Sequence, residues 1–131
     1  MKYILPIMLF LPLYAQSLDG RYHTTEEIYS YLDSLDQLEE LEGWFHLDTI
    51  GFSTQENIPI LAVRISDNAH VKEDEPRVLF VGQVHAEEIL GVEIVLDLIN
   101  DLLFPDASIY THMSILKQYL DIWIIPTANP E

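Results

Sequence analysis

A histidine and a glutamate three residues apart, His85 and Glu88, are the residues of this sequence best suited to chemistry. They follow an apolar run, Val78–Val84, and open a segment whose apolar residues recur at helical spacing. A neutral imidazole and a carboxylate both bind Zn²⁺, at about 2.0–2.2 Å from the ion. Because a strand-to-helix turn can bring the two side chains onto one ion, the pair is a candidate for two ligands of a zinc site.

The same spacing occurs twice more, and sequence context separates the three pairs. The pair His23/Glu26 lies at a capping box that opens a helix, where Glu26 suits the positive end of the helix dipole. The pair His70/Glu73 lies in a charged segment ending in proline, which is typical of a solvated loop. Only His85 ends an apolar strand, and ligands of α/β sheets gather at the carboxyl ends of strands. We expect the first two pairs to face solvent and converge on nothing. The alternative for His85 is a purely structural role at a strand end.

Helices and strands alternate around these residues. The spacing of apolar residues predicts three helical and four extended segments. The helical segments are Thr24–Leu41, Glu87–Leu103 and roughly Ser108–Tyr119, and the strands are Phe45–Phe52, Ile58–Ser66, Val78–Val84 and Asp121–Thr127. This order predicts a three-layer α/β/α domain with a mixed central sheet.

For two of the strands the sequence also predicts a position in the sheet. Val78–Val84 is apolar enough to be central in the sheet. Asp121–Thr127 is strongly apolar and is followed only by Ala-Asn-Pro-Glu131, so we expect an incomplete domain with an exposed sheet edge at this strand.

Composition limits the possible partners. The chain has 131 residues, 49% of them hydrophobic, which supports a packed core. Its net charge is −16, from 22 acidic and 6 basic residues, and such a surface repels phosphate backbones, so nucleic-acid binding is excluded. There is no cysteine, which excludes disulfides, a cysteine nucleophile and a lipid-modified cysteine.

The first residues have the pattern of a signal peptide. Lys2 precedes the apolar run Tyr3–Tyr14, and Ala15 or Ser17 offers a small residue for cleavage. The run is shorter than the roughly 20 residues that span a membrane. We therefore assign residues 1–15 to a signal peptide and residues 16–22 to a linker, and expect a secreted or periplasmic protein with no stable membrane span after cleavage. The alternative is a buried N-terminal strand.

Four segments in order resemble the N-terminal part of the catalytic domain of the zinc carboxypeptidase (metallocarboxypeptidase) family. The resemblance is carried by Tyr22-His-Thr-Thr-Glu-Glu-Ile, by Ile50-Gly-Phe-Ser with Ile58–Ser66, by the strand ending in His85-Ala-Glu-Glu88, and by Trp123-Ile-Ile-Pro-Thr-Ala-Asn-Pro-Glu131. Together they cover nearly all of residues 22–131, so residues 23–131 are interpreted as part of one catalytic domain. Four ordered matches are far more specific than the His-x-x-Glu spacing alone.

The resemblance implies an α/β sheet with Zn²⁺ at a strand end, and His85 and Glu88 as the first two zinc ligands. In the family the third ligand, a histidine, and the glutamate that acts as general base lie much further along the sequence. Neither has a counterpart in this chain, so no catalytic residue is assigned and the chain alone is expected to be inactive. His112 is a poor candidate for the third ligand, because it lies soon after Glu88 within a helical stretch.

The residue before the ligand glutamate departs from the family pattern. Many members have an arginine there that helps to hold the substrate, whereas this chain has Glu87. A carboxylate 4 Å from a substrate carboxylate repels it by about 1 kcal/mol in water. Glu87 is thus a candidate substrate-binding residue that changes specificity. The alternative is that Glu87 only favours the helix N-terminus.

The resemblance implies an exported zinc metallopeptidase of carboxypeptidase type that acts on peptides or proteins. One alternative keeps the zinc but cleaves a different bond, as a deacylase of N-acyl amino acids. Another is a non-catalytic exported binding domain of the same fold. Intact His85 and Glu88 favour a catalytic protein over this last alternative.

Overall fold

Helices and strands follow one another in the predicted order. The computed structural model describes residues 20–131, so the predicted signal peptide and most of the linker lie outside the described residues. Elements in the described part are α1 Thr25–Asp36, β1 Phe45–Phe52, β2 Pro59–Ile65, β3 Arg77–Val81, α2 Ile89–Leu103, α3 Tyr110–Tyr119 and β4 Asp121–Ile125. No helix in this part is both long and apolar enough to cross a membrane.

The four strands form one mixed sheet with the order β1-β2-β4-β3. Strand β2 pairs antiparallel with β1 and with β4, whereas β3 pairs parallel with β4. The prediction of an α/β fold with a mixed sheet is confirmed.

Strand positions within the sheet differ from the prediction. In the described residues β4 is internal, so the expectation of an exposed edge at Asp121–Thr127 is wrong. Strand β3 is the edge strand instead of a central one, and its Leu79 and Val81 are exposed. An apolar run indicates that a strand is suited to burial, but it does not specify which strands lie beside it.

One face of the sheet carries the hydrophobic core. Helices α1 and α2 pack against it, because their apolar residues recur at helical spacing and alternate strand residues point the same way. The fully buried members of this core are Ile28, Leu32, Ile65, Ile99, Leu102, Ile124 and Val63. On the other face, Ile50, Ala62 and Trp123 line an open apolar groove of 540 Å³. The described residues therefore form two of the three predicted layers.

Helix α1 starts as predicted and ends early. A capping box forms between Thr24 and Glu27, with Glu27 N donating to Thr24 Oγ1 at 3.3 Å and Thr24 N donating to Glu27 Oε2 at 2.8 Å. The helix ends at Asp36, and a separate 3₁₀ turn, Glu39–Leu41, follows. Apolar spacing continues across this break, which is why the sequence predicts one helix.

A buried ion pair fixes the start of β4. Asp121 is 2% exposed and accepts hydrogen bonds from Arg64 Nε at 2.6 Å and from Arg77 Nε at 2.9 Å. Burial alone would raise the pKa of Asp121, but the two guanidinium groups outweigh it and hold that pKa below its usual range. The three side chains tie together β2, β3 and β4 at the end of the sheet opposite the carboxyl end of β3.

Candidate metal centre

A loop between β3 and α2 carries the candidate ligands. Strand β3 ends at Val81 and α2 begins at Ile89, so the predicted strand and helix were both too long at this loop. Backbone hydrogen bonds hold the start of the loop against the chain that follows β4. Gly82 N donates to the Ile125 carbonyl at 2.8 Å, and Gly82 and Gln83 accept from the amides of Ala128 and Asn129 at 3.2 and 3.0 Å.

Close packing dictates glycine at the start of this loop. A Cβ atom on Gly82 would lie 2.3 Å from the Pro126 carbonyl oxygen and 3.1 Å from that of Gly91. The next residue, Gln83, has φ of 41°, in the left-handed region that non-glycine residues rarely adopt. Its side-chain amide donates to the Ala86 carbonyl at 2.9 Å, which holds the turn that presents His85.

The structure brings His85 and Glu88 together. His85 Nδ1 lies 2.8 Å from Glu88 Oε1, and the His85 amide donates to Glu88 Oε2 at 3.1 Å. Glu88 N in turn donates to the His85 carbonyl at 3.0 Å, closing a tight turn. The side chains are 67% and 49% exposed, so both are open to solvent and to a ligand. Glu88 is the N-cap residue of α2, at the carboxyl end of β3.

The charges of the pair are coupled. The hydrogen bond to Glu88 and its negative charge raise the pKa of His85, and Glu87 adds a smaller effect in the same direction. The hydrogen bonds from His85 lower the pKa of Glu88. An imidazole that shares a proton with a carboxylate presents one nitrogen and one oxygen at one point, and both are zinc ligands once the proton leaves. The donor set therefore fits zinc.

Within residues 20–131 the pair has no third partner of ligand type. The one group of three or more histidine, aspartate or glutamate ligand atoms in this part does not include His85 or Glu88. His112 lies exposed on α3. Glu87 is also exposed and precedes the first residue of α2. Its role in substrate binding stays a prediction.

The other two His-x-x-Glu pairs do not form pairs of their own. His23 instead contacts Glu93 of α2, with Nδ1 2.8 Å from Oε2 and the backbone amide 2.8 Å from Oε1. Our expectation that His23 converges on nothing was wrong, because the partner lies on another helix. The expectation was also wrong for His70, whose ring lies against that of His46 with the ring centroids 4.8 Å apart.

Two features of this structure were not expected from the sequence. The carboxylate of Glu131 accepts hydrogen bonds from the amides of Gln55 and Glu56, both at 2.8 Å, and the hydrogen bond from Ser53 is the main cause of its lowered pKa. Glu131 thereby fixes the β1–β2 turn at the carboxyl edge of the sheet. The second feature is a group of three carboxylates whose oxygens lie within 4.8 Å of one another, namely Asp67, Glu73 and Glu75. Our expectation that Glu73 converges on nothing was therefore also wrong.

Comparison with known proteins places this fold and loop in one family. The family model for zinc carboxypeptidases matches residues 28–131. A zinc carboxypeptidase of Saccharothrix mutabilis subsp. capreolus is 33% identical over 113 residues, covering 84% of this chain and 24% of the relative. Carboxypeptidase M of Mus musculus is 32% identical over 127 residues, covering 94% of this chain and 27% of the relative.

A solved structure agrees with these matches. Carboxypeptidase A of Helicoverpa armigera superposes with a TM-score of 0.71 at 26% identity, over 88% of this chain and 28% of that one. This chain spans about a quarter of the length of these relatives.

Proposed function

Because this chain belongs to the zinc carboxypeptidase family, we propose that it forms part of an exported zinc-dependent metallopeptidase of carboxypeptidase type. His85 and Glu88 serve as two of the zinc ligands. The observation that carries this assignment is the 2.8 Å contact between His85 Nδ1 and Glu88 Oε1 in a solvent-open turn at the carboxyl end of β3. That is the edge of an α/β sheet where ligands bind.

In this proposal His85 and Glu88 hold the metal, and the proton that they share must leave before it binds. Zinc, when bound, polarises a substrate carbonyl and lowers the pKa of a bound water to about 7. His85 must be neutral at Nδ1 to bind the ion, so the proton it shares with Glu88 has to leave. Since the contact with Glu88 raises the pKa of His85, zinc affinity falls as the pH is lowered through that raised pKa.

Catalysis needs more groups than this chain supplies in its described part. A catalytic zinc site has three protein ligands and an open position, and His85 and Glu88 provide two. The third ligand and a general base belong to other parts of the whole protein. Its substrates are peptides or proteins, with Glu87 beside the metal ligands as the residue that alters preference for a free C-terminal carboxylate. Export depends on residues 1–15, and the mass of the protein recovered outside the cell would test their removal.

Hydrolysis by the whole protein tests the proposal. Chelation should abolish release of a C-terminal amino acid from peptides, and Zn²⁺ should restore it. His85→Asn and Glu88→Gln should each lower both zinc affinity and activity by about 100-fold or more, because each removes a ligand. His112→Asn and Glu26→Gln, at exposed positions, are the matched controls.

Three outcomes separate the alternatives. Cleavage of N-acyl amino acids in preference to peptides would identify a deacylase. Zinc binding without hydrolysis of either substrate would identify a binding domain. Unchanged zinc affinity in the His85→Asn and Glu88→Gln variants would refute the ligand assignment itself.

A further inference from the structure

Two other histidines meet at the far side of the sheet from the candidate metal centre. His46 is near the start of β1, and His70 is in the loop that follows β2. Strands β1 and β3 run in the same direction at opposite edges of the sheet, so His46 lies at the edge and the end opposite to His85. Backbone bonds from Ala69 N to the Gly43 carbonyl at 2.7 Å and from Ser66 N to the Trp44 carbonyl at 3.3 Å hold the loop against β1.

The distance between the two rings is close to that needed for one shared ion. The centroids of the two imidazoles are 4.8 Å apart, and their planes are inclined at 56°. A histidine nitrogen binds Zn²⁺ at about 2.0–2.1 Å, so each centroid would lie about 3.2 Å from an ion, and two rings at the tetrahedral angle would have centroids about 5.2 Å apart. The observed separation is about 0.4 Å shorter, so to bind one ion the rings would move slightly apart and each would turn one nitrogen toward the same point.

The charges around the two rings are mostly negative. Arg64 lies opposite His46 in the β1–β2 pairing and donates to the carbonyls of Ala69 and Val71, but its charge is balanced by Asp121 at 2.6 Å. His46 and His70 line a cavity of 480 Å³ together with three carboxylate residues, Asp36, Glu39 and Glu42. Their charge raises the local concentration of cations, and the whole chain adds to the same field with its net charge of −16. The cavity is open to solvent, so water can occupy the remaining coordination positions.

We propose that His46 and His70 form a second metal site, for a late first-row divalent ion such as Zn²⁺. Two imidazole nitrogens favour zinc, copper or nickel over calcium or magnesium, whose preferred ligands are oxygens. With two protein ligands the site binds its ion reversibly. It lies away from the candidate metal centre, so it is accessory to the proposed hydrolysis and holds whether or not that proposal does.

Titration of the full, untagged chain with Zn²⁺ alone tests this site, with imidazole resonances followed by NMR. The resonances of His46 and His70 should shift together, with one apparent Kd. His70→Asn should raise the apparent Kd for Zn²⁺ measured at His46 by at least about ten-fold. Loss of a residue that only supports a ligand already lowers metal affinity by about ten-fold or more, and loss of the ligand itself should cost at least as much. His46→Asn should do the same to His70. His112→Asn, at an exposed position with no imidazole beside it, should change neither.

Independent responses would overturn the proposal. These are different Kd values for the two histidines, or an unchanged response of one histidine when the other is replaced. Equal sensitivity of His112 to Zn²⁺ would likewise show only adventitious surface binding. Should one variant fail to fold, the common Kd in the unmodified chain still decides the question.

Discussion

Replacing Gly82 by alanine should destabilise the protein and displace the loop that carries His85. The added Cβ would lie 2.3 Å from the Pro126 carbonyl oxygen, which belongs to the backbone, far inside the roughly 3.5 Å of normal carbon contacts. To relieve the clash, the loop must move away from the chain that follows β4. That movement breaks the hydrogen bonds from Gly82 N to Ile125 and from Ala128 N to Gly82.

The cost follows from these contacts. Two backbone hydrogen bonds contribute about 1 kcal/mol each, and overpacking costs about 1–3 kcal/mol. The sum, about 3–5 kcal/mol, is a large part of a typical unfolding free energy of about 5–15 kcal/mol. Lower chain entropy in the unfolded alanine variant offsets only about 0.4–1 kcal/mol.

Urea unfolding of the Gly82→Ala and Gly51→Ala variants would measure this difference. Gly51 is the matched control, because a Cβ there has nothing within 4 Å. Its substitution should change the unfolding free energy by less than about 1 kcal/mol. In the Gly82→Ala variant the His85 imidazole resonances should also shift. Equal unfolding midpoints for the two variants would refute the argument that close packing at Gly82 positions the loop.

Three further predictions concern Asp121, Thr24 and Glu87. Asp121→Asn should cost about 3–5 kcal/mol in urea unfolding, because it leaves Arg64 buried without its counter-ion. The folded state lowers the pKa of Asp121, so this carboxylate stabilises the fold above its unfolded pKa of about 3.9. That stabilisation is lost as the pH falls through the lower pKa of the folded state. The Asp121→Asn variant should therefore lose less stability on acidification than the unmodified protein. An equal acid-induced loss would contradict this. Thr24→Ala should lower the unfolding free energy by about 1 kcal/mol through loss of the cap, and no change would show that the cap does not stabilise α1. In the whole protein, Glu87→Arg should raise kcat/KM on peptides with a free C-terminal carboxylate by roughly ten-fold, whereas Glu26→Arg should not. If Glu87→Arg gives no gain, Glu87 does not contact the substrate carboxylate and only favours the N-terminus of α2.

Local sequence patterns predicted most elements well. Strand Phe45–Phe52 has the predicted bounds, because apolar and polar residues alternate along it and glycine and turn residues flank it. The capping box at Thr24 formed as expected, since its hydrogen bonds are made within one turn of chain. The spacing of His85 and Glu88, next to an apolar run, also identified the two side chains that meet.

Features set by distant residues were missed. The predicted strand Val78–Val84 runs past the real end of β3 at Val81. Beyond it Gln83 has a φ of 41°, which is not extended backbone, while Gly82 and Gln83 accept hydrogen bonds from the amides of Ala128 and Asn129. No local pattern joins His46 to His70. These contacts depend on how β1 and β2 pair, and the sequence indicates the strands but not their register.

Anomalous diffraction at the zinc absorption edge, from crystals of the whole protein grown with Zn²⁺, would show whether His85 and Glu88 bind the ion. We expect a peak about 2.0–2.2 Å from His85 Nδ1 and from a carboxylate oxygen of Glu88. A weaker peak between His46 and His70 would belong to the second site. Zinc bound elsewhere, with His85 and Glu88 still hydrogen-bonded to each other and free of metal, would contradict the assignment of these two residues as zinc ligands.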